Sequence, residues 1–600
     1  MKKTSKILSL ALSAALLLAG CANNDTTSSS VSTDSASTEN VSSGETVIGK
    51  GVGKGHNGDI EVEVSFDGDK ISKIDTVHKE TENLGDLAID SLTEEVVANQ
   101  SVNLDEVSGA TVSSTGFLAA VTEAIKDAGK DPANFEKEVS TNKERKDASM
   151  DVDVVVVGGG GAGFAAAVTA KEAGADVVLL EKMPAVGGNT LISGGEYAAP
   201  ANDLQKKEDI EDSPEVFAKD VEEAGGNKDL IKVLADGALD GANWLRDDIG
   251  VKWLDQLMFF GGHSVKRSLI PEGHSGNELI KKYQAKCDEL GIEVKTEADV
   301  KELISEDGKV VGVKAETPDE NLTVNAKSVV LATGGFGAND EMTYENDHEI
   351  DDKILSTNAP GATGDGIIMA EKLDANTVDM DKIQLYPICD VDTGKLLYVG
   401  DTRLVGGALL VNKEGERFVE ELDTRRAISL AIKDQTDSVG YLIWDEKSSE
   451  ETGTIHSHPE EAKSLYDRGL LVKADTIDEL ADHFEIDKDA LKETVENFNK
   501  NSKEDKDPEF NLRMLGWTIE EGPFYMLKAL PAVHHTMGGL EINTDAQVMT
   551  KDGEAIDGLY AAGEVTGGIH GSNRLGSVAI ADITVFGRIA GENAAANALK

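Results

Sequence analysis

Cysteine is nearly absent: Cys21, Cys287 and Cys389 are the only three in 600 residues. Three thiols exclude a disulfide framework, a four-cysteine zinc site and a cysteine-ligated iron–sulfur cluster. No C-x-x-C-H occurs, so covalent c-type haem is excluded too, and no metal site is expected. Proline is scarce, with 12 residues against 61 glycines. That ratio speaks for close backbone approaches rather than low-complexity chain. Positive charge is in deficit: 58 Lys and Arg against 111 Asp and Glu leave a formal charge of −53. Nucleic acid needs a basic face and is not an expected partner. After the N-terminus, no apolar run reaches the roughly 18 residues that a membrane-crossing helix needs. Hydrophobic residues at 40% and charged residues at 28% match globular chains, which excludes wholesale disorder. At roughly 100–200 residues per domain, the length fits several domains or one large composite.

The first residues read as an address. Lys2, Lys3 and Lys6 precede an apolar run from Ile7 to Leu18, then Ala19-Gly20-Cys21. The run is short for a bilayer and fits a signal peptide over 1–20. Leu18-Ala19-Gly20-Cys21 resembles a bacterial lipobox, which implies lipidation of Cys21. Residues 21–45, rich in Ser, Thr, Asn and Asp, read as a flexible tether. The expected location is extracytoplasmic, with the chain lipid-anchored to the cell membrane.

Residues 46–130 read as a small α+β domain. Ile60, Val62, Val64 and Phe66 alternate with polar residues, the signature of a half-buried strand. Asp67-Gly68-Asp69 is a turn, and Ile71 to Val77 is its hairpin partner. Helical patterns follow over 85–98 and 113–128. Between them lies Asp105-Glu106-Val107-Ser108-Gly109-Ala110-Thr111. It resembles the D-x-x-[ST]-G-A-T target of flavin transferases in FMN-binding domains of respiratory flavoproteins. The resemblance implies FMN linked covalently to Thr111 through a phosphodiester bond. A helix start beyond Thr111 would offer free N–H groups to the phosphate. Residues 131–149 are charged and aperiodic, and read as a linker.

A dinucleotide-binding pattern follows. Val152 to Val157 is a nearly continuous apolar run typical of a buried strand, and Gly158-Gly159-Gly160-Gly161-Ala162-Gly163 supplies G-x-G-x-x-G. A helical segment and a second strand, 176–180, lead to Glu181, 23 residues after Gly158. That is where a ribose-binding acid belongs. Gly158, Gly160, Ala162 and Gly163 let a pyrophosphate approach the backbone and the helix N-terminus.

Further segments are Gly187-Gly188-Asn189-Thr190, Gly194-Gly195, Thr333-Gly334-Gly335-Phe336-Gly337, Thr363-Gly364-Asp365-Gly366 and Leu559-Tyr560-Ala561-Ala562-Gly563-Glu564. Together they resemble the flavoprotein family of fumarate reductases and succinate dehydrogenases, from residue 151 to about 590. The resemblance implies non-covalent FAD. It would be contacted by Asn189, Thr190, Gly194, Gly195, Asp365, His535, Glu564, Ala579 and Ile580, with Val300 on its adenine side. The implied fold class is α/β: a Rossmann-like FAD-binding domain over 150–380 and 526–600, an inserted α+β capping domain over 381–525, and the small α+β FMN-binding domain ahead of both.

Glu416-Arg417-Phe418-Val419-Glu420-Glu421-Leu422-Asp423-Thr424-Arg425-Arg426, His534-His535-Thr536-Met537-Gly538-Gly539 and His570-Gly571-Ser572-Asn573-Arg574-Leu575-Gly576 resemble the soluble fumarate reductases. By that resemblance His534 and Arg574 hold a substrate carboxylate, hydride passes from reduced FAD to an alkene carbon, and Arg425 protonates the other carbon. Arg426 competes by adjacency. A planar guanidinium grips a carboxylate with two parallel hydrogen bonds and stabilises the enolate-like charge of the reaction. The implied substrate is a small unsaturated carboxylic acid, and the implied partners are a membrane electron donor and a flavin transferase.

The chain departs from fumarate reductases where they hold a distal carboxylate. Their His position is Tyr386, and their Thr–Glu pair aligns with Gly400-Asp401. An anionic Asp401 would repel a second carboxylate by roughly 1–4 kcal/mol at about 4 Å, whereas an N–H donor would be welcome. Tyr386 with Asp401 resembles the pair that recognises imidazole in the urocanate-reducing members of the family. Gly195 and Ser577, a serine where glycine is frequent, complete the expected pocket. Alternatives are that Asp401 belongs to a proton relay, that the substrate is fumarate or another acrylate-type acid, that the chain is a surface flavin electron carrier, or that it runs as a dehydrogenase.

Overall fold

The structure, a computed structural model, describes residues 47–600 apart from 56–57, 81–84, 105, 108–109, 138–144 and 406. The expected signal peptide, Cys21 and the tether lie outside the described residues, as do Asp105, Ser108, Gly109 and the side chain of Thr111.

The first domain is a three-stranded antiparallel sheet, Val47–Lys54, Asp59–Asp67 and Lys70–Val77, covered by helices Gly85–Asn99 and Thr111–Asp127. The alternation at 60–66 buries Ile60, Val62, Val64 and Phe66 on the helix side, where Phe117, Val121 and Ala124 join them. The hairpin turn uses Gly68 in the left-handed region, at φ 61°. The strand Val47–Lys54 had little apolar signal because glycine alternates through it. A Cβ on Gly51 would lie 1.9 Å from the Ala120 carbonyl oxygen, so this strand packs backbone to backbone on the second helix. Phe135 extends the domain past residue 130, buried edge-on against Phe66 with centroids 6.0 Å apart. The next strand already begins at Lys146, so the chain between the two domains is shorter than the expected 131–149.

That strand, Lys146–Val157, starts the second domain. It pairs in parallel with Glu320–Leu331 and Val177–Leu180, and Glu320–Leu331 pairs in parallel with Ala555–Ala561. Its last four residues are buried on both faces, as expected of a central parallel strand. Helix Gly161–Glu172 packs against the long C-terminal helix Val578–Ala598 so closely that a Cβ on Gly591 would lie 2.3 Å from the Ala166 carbonyl. Ligands in such sheets sit beyond the carboxyl ends of the parallel strands.

The inserted domain has its own core around Tyr441, Trp444, Met526 and Leu527. Its centre is the strand Phe524–Thr536, which pairs with Gly440–Asp445, Leu471–Ala474 and Ile383–Cys389. This strand does not stop at the expected boundary of 525. Its first half lies in the cap core, and Val533 already belongs to the core of the parallel-sheet domain. Ile383–Cys389 is divided in the same way, with Leu385 in one core and Tyr386 in the other. The seam between the two domains is therefore carried by one antiparallel strand pair. Among the described residues, no helix is long and apolar enough to cross a membrane.

Candidate active site

The parallel strands end in a cleft with about 880 Å3 of empty space, lined by Gly158, Gly160, Ala162, Glu181, Asn189, Thr190, Val300, Asp365 and Glu564 among others. Gly158 adopts φ 110°, and a Cβ there would lie 2.2 Å from the Ala332 carbonyl. Gly160 has the opposite environment, since an added Cβ meets nothing nearer than 3.9 Å. One glycine is needed for packing, and the other keeps an open backbone cradle at the start of helix Gly161–Glu172. Gly163 serves packing as well, because its Cβ would lie 1.9 Å from the Gly158 carbonyl. Glu181 accepts from the Gly159 N–H (2.7 Å) and the Met183 N–H (2.8 Å). Burial raises its carboxyl, and those two N–H groups oppose the rise. An open glycine cradle at a helix N-terminus with an acid at its rim fits the diphosphate and ribose of FAD.

Other walls are tied together by hydrogen bonds. Asn189 Nδ2 donates to Asn358 Oδ1 (2.7 Å) and to Glu564 Oε2 (3.1 Å), and its Oδ1 accepts from the Ala359 N–H (2.7 Å). Glu564 Oε1 accepts from the Thr536 N–H at 2.9 Å. Lys182 Nζ donates to Asp365 Oδ2 (2.5 Å) and Thr363 Oγ1 (2.6 Å).

The seam strands place the remaining chemistry. Gln384 pairs across the strands with His535. Its Oε1 accepts from Arg574 Nη2 (3.0 Å) and Arg425 Nη1 (3.5 Å), and its Nε2 donates to Asn573 Oδ1 (2.9 Å) and the Arg574 carbonyl (3.0 Å). Arg574 is buried, and its Nε has no protein partner. Burial, with the neighbouring Arg425 charge, brings Arg574 down to about 9. A buried guanidinium with a spare N–H is built to receive an anion. His534 stands beside it, with Nδ1 paired to Thr357 Oγ1 at 3.0 Å. Burial and the charges of Arg574 and Arg425 hold His534 well below the ordinary histidine range, so it is a neutral ligand.

Arg425 is the first residue of helix Arg425–Lys433, whose start is fixed by Thr424: its Oγ1 accepts from the Ala427 N–H at 3.2 Å. That phase sends the two adjacent arginines to different places. Arg425 reaches Gln384 and lies over the Tyr386 ring, 4.9 Å from its centroid. Arg426 leaves the cleft for ion pairs with Asp347 (2.6 Å) and Glu349 (2.7 Å). Beyond Arg425, the buried Tyr386 hydroxyl donates to Asp401 Oδ1 at 2.5 Å. Burial raises the Asp401 carboxyl, while the Tyr386 hydrogen bond and the Arg403, Arg425 and His458 charges pull it down. Glu196 is also raised by burial and feels the charges of His274, Asp401 and Arg574.

A chain of contacts thus links Asp401, Tyr386, His534, Arg425, Gln384 and Arg574, and none of these side chains lines the 880 Å3 cleft. His535 follows His534, edge-on to His570 with centroids 5.4 Å apart. Gly163, Gly194, Gly195, His535, Ala579 and Ile580 are not among the walls of the 880 Å3 cleft. Gly195 adopts φ 73° with its backbone against Gly276, and Ala579 and Ile580 open the C-terminal helix. Ser577 turns its hydroxyl to Ser268 Oγ at 2.6 Å. Gln384, Glu196, Lys182 and Arg403 escaped sequence reasoning. Gln384 had a signal: strand alternation puts it on the same face as Tyr386. In the first domain, Thr111 starts its helix, and the preceding Ala110 gives no side-chain cap. A helix start without that cap is suited to offer its N–H groups to a phosphate, which fits FMN.

On the resemblance's reading of Arg425 as the proton donor, replacing it with alanine should lower kcat by about 10²–10⁴-fold. Arg426→Ala should stay within about twofold of the parent, because its guanidinium pairs with Asp347 and Glu349 rather than with Gln384 and Tyr386. Steady-state reduction of an enoate by both variants, each with its FAD content measured, checks the assignment; equal losses would refute it.

Residues 153–580 match the FAD binding domain family, and residues 55–126 match the FMN-binding domain family. The chain is 46% identical to urocanate reductase of Eggerthella lenta, over 98% of this chain and 97% of that protein. It is 38% identical to fumarate reductase (cytochrome) of Shewanella frigidimarina, over 74% of this chain and 77% of the relative. Among solved structures, the open conformation of a flavocytochrome c3 fumarate reductase superposes with a TM-score of 0.70 at 37% identity, covering 78% of this chain and 84% of that one. With its FMN-binding domain, FAD cleft and paired arginines, the chain belongs to the family of flavin oxidoreductases acting on C=C bonds that includes the urocanate and fumarate reductases.

Proposed function

We propose that the chain is an extracytoplasmic, lipid-anchored reductase that converts urocanate to imidazole propionate. The observation that carries this reading is the Tyr386–Asp401 hydrogen bond of 2.5 Å on the wall beyond Arg425. Fumarate would place its second carboxylate toward Asp401 and Glu196, two acids whose ionised forms burial already disfavours. A ring N–H gives Asp401 a donor instead, and a charged imidazolium offsets the burial of the carboxylate. The Tyr386 ring offers an aromatic face to a flat heterocycle. The relative of 46% identity is named for the same reaction.

When bound, reduced FAD supplies the hydride. The protein's own groups do the rest. Arg574 and His534 take the substrate carboxylate through N–H donors, and the fixed charge of Arg574 stabilises the enolate-like charge that develops on it. Arg425 holds a proton on its guanidinium and delivers it to the alkene carbon. Gln384 orients both arginines through one carbonyl oxygen. In the first domain, Thr111 would carry FMN by a phosphodiester bond made by a flavin transferase, and a membrane donor would deliver electrons at that domain. Cys21 would carry the lipid.

Three outcomes follow. With reduced viologen as donor, urocanate should be turned over with a kcat/KM at least tenfold above that for fumarate or acrylate; a preference for fumarate rejects the substrate. Thr111→Ala should lose flavin that survives denaturation while keeping FAD and viologen-linked activity, read by in-gel flavin fluorescence; retained covalent flavin rejects Thr111. Cys21→Ala should move the protein from the membrane fraction to the soluble fraction on immunoblots; unchanged membrane retention rejects the lipid anchor.

A further inference from the structure

Asp401 sits on a 3-10 turn, Tyr398–Val405, rather than on a strand or a long helix. The first N–H groups of any helical turn lack partners within it. Here two of them go to a single side chain from another part of the cap. Glu461, on helix Pro459–Asp467, accepts from the Val399 N–H through Oε1 at 2.7 Å and from the Tyr398 N–H through Oε2 at 3.2 Å. The same region holds the turn at two more points. The Tyr398 ring stacks on His458, with centroids 4.7 Å apart and planes 10° from parallel. Thr402 Oγ1 pairs with Thr454 Oγ1 at 2.7 Å. On its inner side the turn presses on the Tyr386 strand, where a Cβ on Gly400 would lie 2.2 Å from Ile388 Cγ2. The turn has no room to move inward, and Glu461 prevents it from moving outward.

We propose that Glu461 is a positioning residue that fixes the place of the Asp401 carboxyl and thereby sets affinity for the tail of the substrate. The inference rests on the reading of Asp401 as the group that meets that tail. A carboxylate is suited to the task because its two oxygens match two consecutive N–H donors, and its charge complements the positive end of the turn. Burial pushes the Glu461 carboxyl up to about 7, against the pull of the two N–H groups, with Asp401 and Asp390 adding to the rise.

The test uses the full-length holoenzyme in a double-mutant cycle, with urocanate as substrate and reduced viologen as donor. Glu461→Ala should raise KM about tenfold with kcat within about threefold, and Glu461→Gln, which keeps one acceptor oxygen, should fall between it and the parent. In an Asp401→Ala background, Glu461→Ala should change KM by less than twofold, because coupled residues are not additive. If Asp401→Ala alone leaves KM unchanged, the reading of the tail site fails. If Asp401→Ala raises KM but the Glu461 variants do not, the positioning role fails. A lower melting temperature with unchanged KM, or equal additive losses in both backgrounds, would reduce Glu461 to a structural contact and overturn the proposal.

Discussion

Two guanidinium groups, Arg574 and Arg425, converge on the single carbonyl oxygen of Gln384. Like charges repel, and the repulsion grows as water is removed. Arg574 is buried and drawn down to about 9 by that burial and by Arg425. A neutral amide oxygen offsets only part of this cost. The arrangement is stable because other groups hold it, and it becomes favourable when an anion arrives. His534 adds a donor without adding charge, since it is neutral in this field. The pocket is therefore predisposed to a carboxylate before any detail of the tail is considered, and the hydride acceptor is placed by where that carboxylate must sit.

What keeps the two cations together is the strand pair at the seam. Phe524–Thr536 runs from the cap core into the core of the parallel-sheet domain, and Ile383–Cys389 pairs with its second half, with two irregularities in register. Gln384 and Tyr386 project from one strand, and His534 and His535 from the other. Arg425 comes from a cap helix, Arg574 from a loop ahead of the C-terminal helix. Each group is anchored in a different hydrophobic core, so any relative shift of the two domains changes the spacing of the arginines. The geometry of the site thus depends on how the two domains meet.

The parts of this structure legible in the sequence are those whose physics is local. Val152–Val157, the glycine run and Glu181 form one continuous β-α-β segment, and its function follows from spacing alone. The hairpin at 60–77 is local in the same sense, and the alternation read over 60–66 is the burial pattern observed in that strand, whereas its partner buries Ile71 and Ile74. The Val47–Lys54 strand was harder, because glycines that pack on a helix backbone leave no hydrophobic period to read. The choice between Arg425 and Arg426 depended on the phase of a helix set by Thr424, a matter of one residue. Gln384 was hidden for a different reason. Its partner Arg574 is 190 residues away in the chain, on the loop before the C-terminal helix, and only the tertiary fold brings them together. The cap boundary was misplaced because a single strand serves both domains, and composition does not change along it.

The charge of the whole chain acts on the same selection from farther out. A net charge of −53 surrounds a site that combines the cations Arg425 and Arg574 with the buried acids Asp401 and Glu196. An acid approaching from solvent meets repulsion that scales with its own charge, so a dianion is disfavoured about twice as strongly as a monoanion at long range. That field is screened within about 8–10 Å at physiological salt. The short-range contribution of Asp401 is less screened, because it is set by contact inside the protein. Both act in the same direction, against a second negative charge on the substrate. On the proposed reading, a molecule with one carboxylate and a tail that donates a hydrogen bond satisfies the cations, the acids and the surface field together, and a dicarboxylate satisfies only the first.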